Sequence, residues 1–172
     1  TILDTARLKA RLSEYYNISQ SNVHAYVFGE HGDSSFIPWS LANISNVPVQ
    51  GYHQMVTNET HLYPPLDMND VENYVRKSGG RVIARKGATF YAVSASVCHI
   101  CKCLLNGVDT TLTVSTMMHG EYGIDDVCLS VLNIVGQEGA HSKLLAPLTD
   151  EELVKLRHSA DTLKEVIHSL DI

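Results

Sequence analysis

Neither GxGxxG nor GxxxxGK[ST] occurs in the chain, so it carries no phosphate-cradling loop of its own. No apolar run approaches the length that spans a bilayer. The opening TILDTARLK lacks the basic-then-apolar pattern of a secretory signal. Basic residues are few and scattered: 13 Lys and Arg against 19 Asp and Glu give a net charge of −6. That argues against a nucleic-acid or anionic-membrane surface, because both need clustered cations. Cysteine is also scarce, at 4 in 172 residues, with Cys98, Cys101 and Cys103 crowded together. This is no disulfide framework, and reduced thiols in a cytoplasmic protein are the expectation. The CHICKC cluster holds thiols and His99, but 98 and 101 share a helical face that 103 does not, and no second CxxC follows. These cysteines read as core fillers and not as metal ligands. The remaining histidines show no HExxH spacing, and His53, His61, His119, His141, His158 and His168 read as structural or exposed.

What is present suits one globular domain: 172 residues, 44% hydrophobic and 19% charged. Apolar residues at Leu3, Ala6, Leu8, Leu12 and Tyr15/Tyr16 predict a helix over about 3–16. NVHAYVFG reads as a strand ended by Gly29, and FIPWSLANI as a second, with Pro38 placing it at an edge or a strand start. Residues 46–65 are loop-like, broken by Pro48, Gly51, Pro64 and Pro65. A helix over 67–78 should stop at Gly79-Gly80. Residues 87–106 are small or apolar around the whole circumference, which predicts a helix buried on nearly all sides. Strands are expected at 110–118 and 127–135 around HGEYGIDD, with a third at 139–145. The last helix is the clearest, capped by Thr149 with acids in its first turn. Adjacent strand pairs predict an α+β fold, antiparallel sheets packed with helices.

The chemistry concentrates in two stretches. In FGEHGDSS, His31 lies between Gly29 and Gly32, which free the backbone for close approach and unusual dihedrals. It titrates near neutral pH and can give or take a proton, yet a surface loop histidine satisfies the same pattern. In LDTAR, Asp4 and Arg7 share a helix face. They form either a surface ion pair worth about 0–1 kcal/mol or one site. In the second case Asp4 holds the other nitrogen of His31 and favours its imidazolium form, and Arg7 grips a carboxylate with its forked guanidinium.

LDTARLK, NVHAYVFGEHGDSSFIPWS and GATFYAVS, in this order and spacing, resemble the lactate/malate dehydrogenase family over essentially the whole chain. Glu30, where malate-type members usually carry Gly, makes GEHGDS similar to the lactate branch. The resemblance implies the C-terminal, substrate-binding half of an NAD-dependent enzyme that interconverts pyruvate and L-lactate. The preceding Rossmann half, with the mobile loop and its carbonyl-polarising arginine, would be absent from residues 1–172. It implies His31 as acid/base, Asp4 as the carboxylate that orients it and Arg7 as the partner of the substrate carboxylate. Thr89 would line the pocket beside substrate and nicotinamide, with Val93 an apolar neighbour of the ring. It also matches Lys9 and His24 to a sugar-bisphosphate activator site at a subunit interface, where Lys in place of Arg keeps the charge but loses the fork. A small 2-oxo or 2-hydroxy acid, the Rossmann half and, for the intact enzyme, a homotetramer are the implied partners. The isolated half should be inactive, and its bare docking surface should favour association with another copy. Malate or another 2-hydroxy acid stays open as the substrate. A non-catalytic binding or assembly module remains the alternative of a different class.

Overall fold

The computed structural model describes residues 1–57 and 65–170; Pro64 and His61 fall outside them. The first helix, α1 (Ile2–Tyr16), buries Asp4, Leu8, Leu12 and Tyr16 at a four-residue repeat. Full burial of Leu8 and Leu12 stabilises by about 1.5–3 kcal/mol each. The helix ends at Asn17 in the left-handed region (φ 50°), a conformation that asparagine tolerates at a helix stop.

The strands form two three-stranded antiparallel sheets. The first contains β1 (Val23–His24), β2 (Asn43–Ile44) and β3 (Val47–Pro48). These strands are far shorter than the sequence predicts. FIPWSLANI is interrupted by a 3-10 turn at Trp39–Leu41, directly after Pro38, which has no N–H to give to a ladder. Before that turn Phe36 pairs in a single bridge to Phe28, and after it Asn43 and Ile44 form β2. The strand β3 and a short helix α2 (Tyr52–Met55) lie where a plain loop was expected. The β2–β3 hairpin turns through Ser45 and Asn46, both at positive φ, as a tight two-residue hairpin requires. The second sheet holds β4 (Thr110–His119), β5 (Asp125–Gly136) and β6 (Gly139–Lys143), close to the predicted strands.

Two helices depart from expectation. The helix α3 (Met68–Lys86) runs straight through Gly79 and Gly80 and stops at Gly87, φ 79°. Each helical glycine costs about 1 kcal/mol relative to alanine, yet the helix continues through residues 80–86, all of them exposed. The helix α4 (Tyr91–Leu105) forms as predicted but buries no residue. Cys98 and Cys101 on it are exposed and so are not core fillers. The last helix, α5 (Asp150–Ser169), opens with a capping box in which Thr149 and Glu152 satisfy each other's backbone N–H groups.

The apolar side chains gather into two cores. One joins Leu8 and Leu12 to Val23, Val27, Trp39, Ile44, Val71 and Val75. The other packs β5 and α5 together through Leu129, Val131, Leu156 and Ala160, with Phe28 and Phe36. The segment before the His31 loop alternates between them: Ala25 and Val27 enter the first core and Phe28 the second. The loop therefore leaves the protein at the seam.

Candidate functional site

Asp4 heads the buried stripe of α1, where an apolar residue would be ordinary. A carboxylate there needs partners, and it has them. Its Oδ2 lies 2.7 Å from Nδ1 of His31, and its Oδ1 accepts from Nη1 of Arg7 at 3.0 Å. One carboxylate thus joins the helix to the FGEHGDSS loop. The Asp4 and Arg7 side chains are largely buried, whereas the His31 side chain is 73% exposed. With Nδ1 engaged, Nε2 is the nitrogen left to act on a ligand.

Local hydrogen bonds explain why the loop stands where it does. Phe28 and Phe36 exchange backbone bonds at 2.9 and 3.1 Å. Gly29 and Ser130 on β5 do the same at 2.9 and 3.0 Å. Thr5 Oγ1 on α1 accepts from the Val27 N–H at 3.0 Å and lies 2.9 Å from Thr113 Oγ1 on β4. These contacts tie α1, the approach to the loop and β4 together. Inside the loop, the Ser34 N–H donates to Glu30 Oε1 and Ser35 Oγ donates to the Gly32 carbonyl, at 3.1 and 2.8 Å. Arg76 Nη2 donates to the Ser35 carbonyl at 2.8 Å. The two flanking glycines serve this closure: a Cβ on Gly32 would sit 2.6 Å from Glu30 Oε1, and one on Gly29 would sit 2.6 Å from Ser159 Oγ.

Asp4, Arg7 and His31 line a cleft of about 280 Å³ together with Thr89 and Val93. Five residues singled out in the sequence, spread over positions 4 to 93, therefore meet at one place. The sequence reading missed Arg76, Ile83, Gly79 and Gly80, which line the same cleft. A Cβ on Gly79 would come 3.9 Å from Arg7 Nη1, an ordinary contact, so α3 runs close beside the guanidinium here. No sequence signal singled these residues out, because the glycine pair reads as a helix stop.

Lys9 and His24 do not join this cleft. Lys9 lines another, of about 320 Å³, with Gln20, Tyr26 and His99, and His24 is not part of its lining. Burial pushes the Lys9 ammonium below its usual range. On α4, Cys103 Sγ lies 3.9 Å from His99 Nε2. Among the described residues no three His, Cys, Asp or Glu side chains converge as a metal site, and no helix is long and apolar enough to cross a membrane.

The sequence matches the family model of the lactate/malate dehydrogenase α/β C-terminal domain over residues 1–171. The L-lactate dehydrogenase of Acetivibrio thermocellus is 43% identical over 173 residues, which cover 100% of this chain and 53% of that protein. That of Oceanobacillus iheyensis is 37% identical over 166 residues, covering 96% and 50%. Among solved structures, the L-lactate dehydrogenase from Clostridium thermocellum superposes with a TM-score of 0.87 at 34% identity, over 100% of this chain and 55% of that one. The minor L-lactate dehydrogenase from Enterococcus mundtii gives 0.88 at 30% identity, over 100% and 54%. The chain spans about half the length of the curated relatives it matches.

Proposed function

The chain belongs to the lactate/malate dehydrogenase family, as its α/β C-terminal domain, and from that premise we propose that it is the substrate-binding and catalytic half of an NAD-dependent L-lactate dehydrogenase. One observation carries the reading: a single buried carboxylate, Asp4, holds both a cleft arginine and the exposed imidazole of His31.

In this reading Arg7 binds the carboxylate of pyruvate or lactate. A guanidinium suits a planar anion, and fixing that end of the substrate fixes where its carbonyl points. Asp4 holds Nδ1 of His31, which leaves Nε2 to give a proton to the carbonyl oxygen in pyruvate reduction and to take it back in lactate oxidation. Thr89 bounds the cleft beside the substrate. Val93 and Ile83 offer an apolar wall that fits one face of a nicotinamide ring. NAD supplies or accepts the hydride when bound. No dinucleotide loop lies in this chain, so the greater part of that cofactor is held by a Rossmann half that precedes these residues. The exposed apolar side chains of α4, among them Tyr91, Val93 and Val97, give that half a surface to dock on, and the intact enzyme assembles as a homotetramer. The domain alone is inactive, because it lacks the greater part of the cofactor site.

The test is NADH oxidation by the full-length gene product with pyruvate and with oxaloacetate. Pyruvate turnover should dominate, and His31→Asn should reduce it by about 10²–10⁴-fold, the usual worth of a positioned acid/base. A preference for oxaloacetate overturns the substrate assignment. Undiminished turnover in the variant overturns the role of His31.

A further inference from the structure

We propose that Ser159, on the last helix, is a positioning residue for His31. The proposal rests on the reading of His31 as the acid/base. The His31 side chain is largely exposed, so packing does not hold its ring. Its position depends on Asp4 and on the backbone of the loop that carries it. Ser159 touches that loop on both sides of His31, at the Glu30 backbone before it and the Ser34 side chain after it. Its hydroxyl oxygen accepts the Glu30 N–H at 2.8 Å and lies 2.9 Å from Ser34 Oγ. Ser159 is fully buried, so its hydroxyl is matched by protein partners and not by bulk water.

Two further observations support a dedicated contact. Ser159 sits in the buried stripe of α5 with Leu156 and Ala160, where an alanine would pack equally well. A mid-helix serine commonly turns back to the carbonyl one turn earlier, but this one reaches across to the loop. The chain also accommodates it. Gly29 lies at φ 93°, and a Cβ there would stand 2.6 Å from Ser159 Oγ, so only glycine lets the strand end come this close. Asp4 pulls the ring from α1 while Ser159 clasps the backbone from α5, and the loop between them is fixed from opposite sides.

The experiment compares Ser159→Ala with Glu152→Gln in the full-length enzyme. Glu152 lies on the same helix and binds Ser40 and Thr149, away from the loop. Ser159→Ala should lower kcat for pyruvate about tenfold or more, since small misplacements of a catalytic group are costly. KM should change little, because Arg7 sits on α1. Glu152→Gln should lower Tm and leave kcat unchanged. In the 172-residue chain, amide exchange at Glu30 should accelerate in Ser159→Ala while α5 keeps its protection. Should Ser159→Ala fold poorly, Ser34→Ala removes the loop-side hydroxyl without touching α5, and a fall in kcat at constant KM is again expected. Unchanged kcat in both serine variants, or unchanged Glu30 exchange, overturns the proposal while His31→Asn remains inactive. Full turnover in His31→Asn overturns the underlying reading instead.

Discussion

Helices α1 and α4 are each 15 residues long, and they have opposite fates. The helix α1 mixes Lys, Arg and Glu with its apolar residues, yet it buries a clean stripe ending in Tyr16. The helix α4 is mostly Ala, Val, Cys, Ile and Leu, yet it buries nothing. Apolar content alone therefore does not place a helix; a face needs a partner of matching shape. The α1 stripe meets β1 and α3 within this chain. In the reading above, the apolar side chains of α4 meet theirs in the preceding half.

The sharpest way to test this contrast is in the full-length enzyme, where α1 carries the substrate grip and α4 only lines the cleft. Arg7→Lys should raise the pyruvate KM roughly 10–100-fold, the worth of a charge-assisted hydrogen bond of about 1.5–3 kcal/mol. Val93→Ala should change it by less, and steady-state kinetics on the two variants ranks them. The next largest effect is on folding. In the 172-residue chain, Leu8→Ala should cost about 2–5 kcal/mol by opening a cavity in the first core. Val97→Ala, 53% exposed, should stay within about 0.5 kcal/mol. Urea unfolding measures both, and a comparable loss in the α4 variant would show a partner for that face already present. In the longer chain Val97→Ala should become destabilising.

The smallest effect concerns α5, which like α1 carries a carboxylate into its buried face. Burial works against the Glu152 carboxylate, but hydrogen bonds from Ser40 and Thr149 outweigh it and hold its pKa below the ordinary 4.5. Its contribution is therefore present above about pH 4.5 and lost as pH falls through the folded value. Glu152→Gln should lower Tm at neutral pH and flatten its decline in acid; a parallel decline in both proteins would contradict this.

The elements whose stability is local were legible in the sequence. The stripe of α1, the Thr149 cap of α5 and the β4–β5 pair follow from spacing and turn chemistry, and the structure places them within a few residues of expectation. Elements decided by tertiary contact were not. Gly79-Gly80 has the composition of a helix stop, but α3, anchored in the first core by Val71 and Val75, continues to Lys86. The exposure of α4, which buries no residue, is likewise set by what packs on it and not by its composition. The site divides in the same way. His31, Asp4 and Arg7 carry a motif that can be read, and the structure brings them together. Arg76 and Ser159 act through long-range hydrogen bonds, and the one hint of Ser159 was a hydroxyl in a stripe of core positions.

The contact between Ser159 and the loop at Glu30 and Ser34 also sets an order in time. During translation Asp4, Arg7 and His31 leave the ribosome well before their clasp, which emerges 125 residues after Ser34. A product ended by a nonsense codon before α5 would contain Asp4, Arg7 and His31 and still hold His31 on an unfastened loop. In the proposed reading, synthesis of α5, and not of the motif, is the event that completes the site.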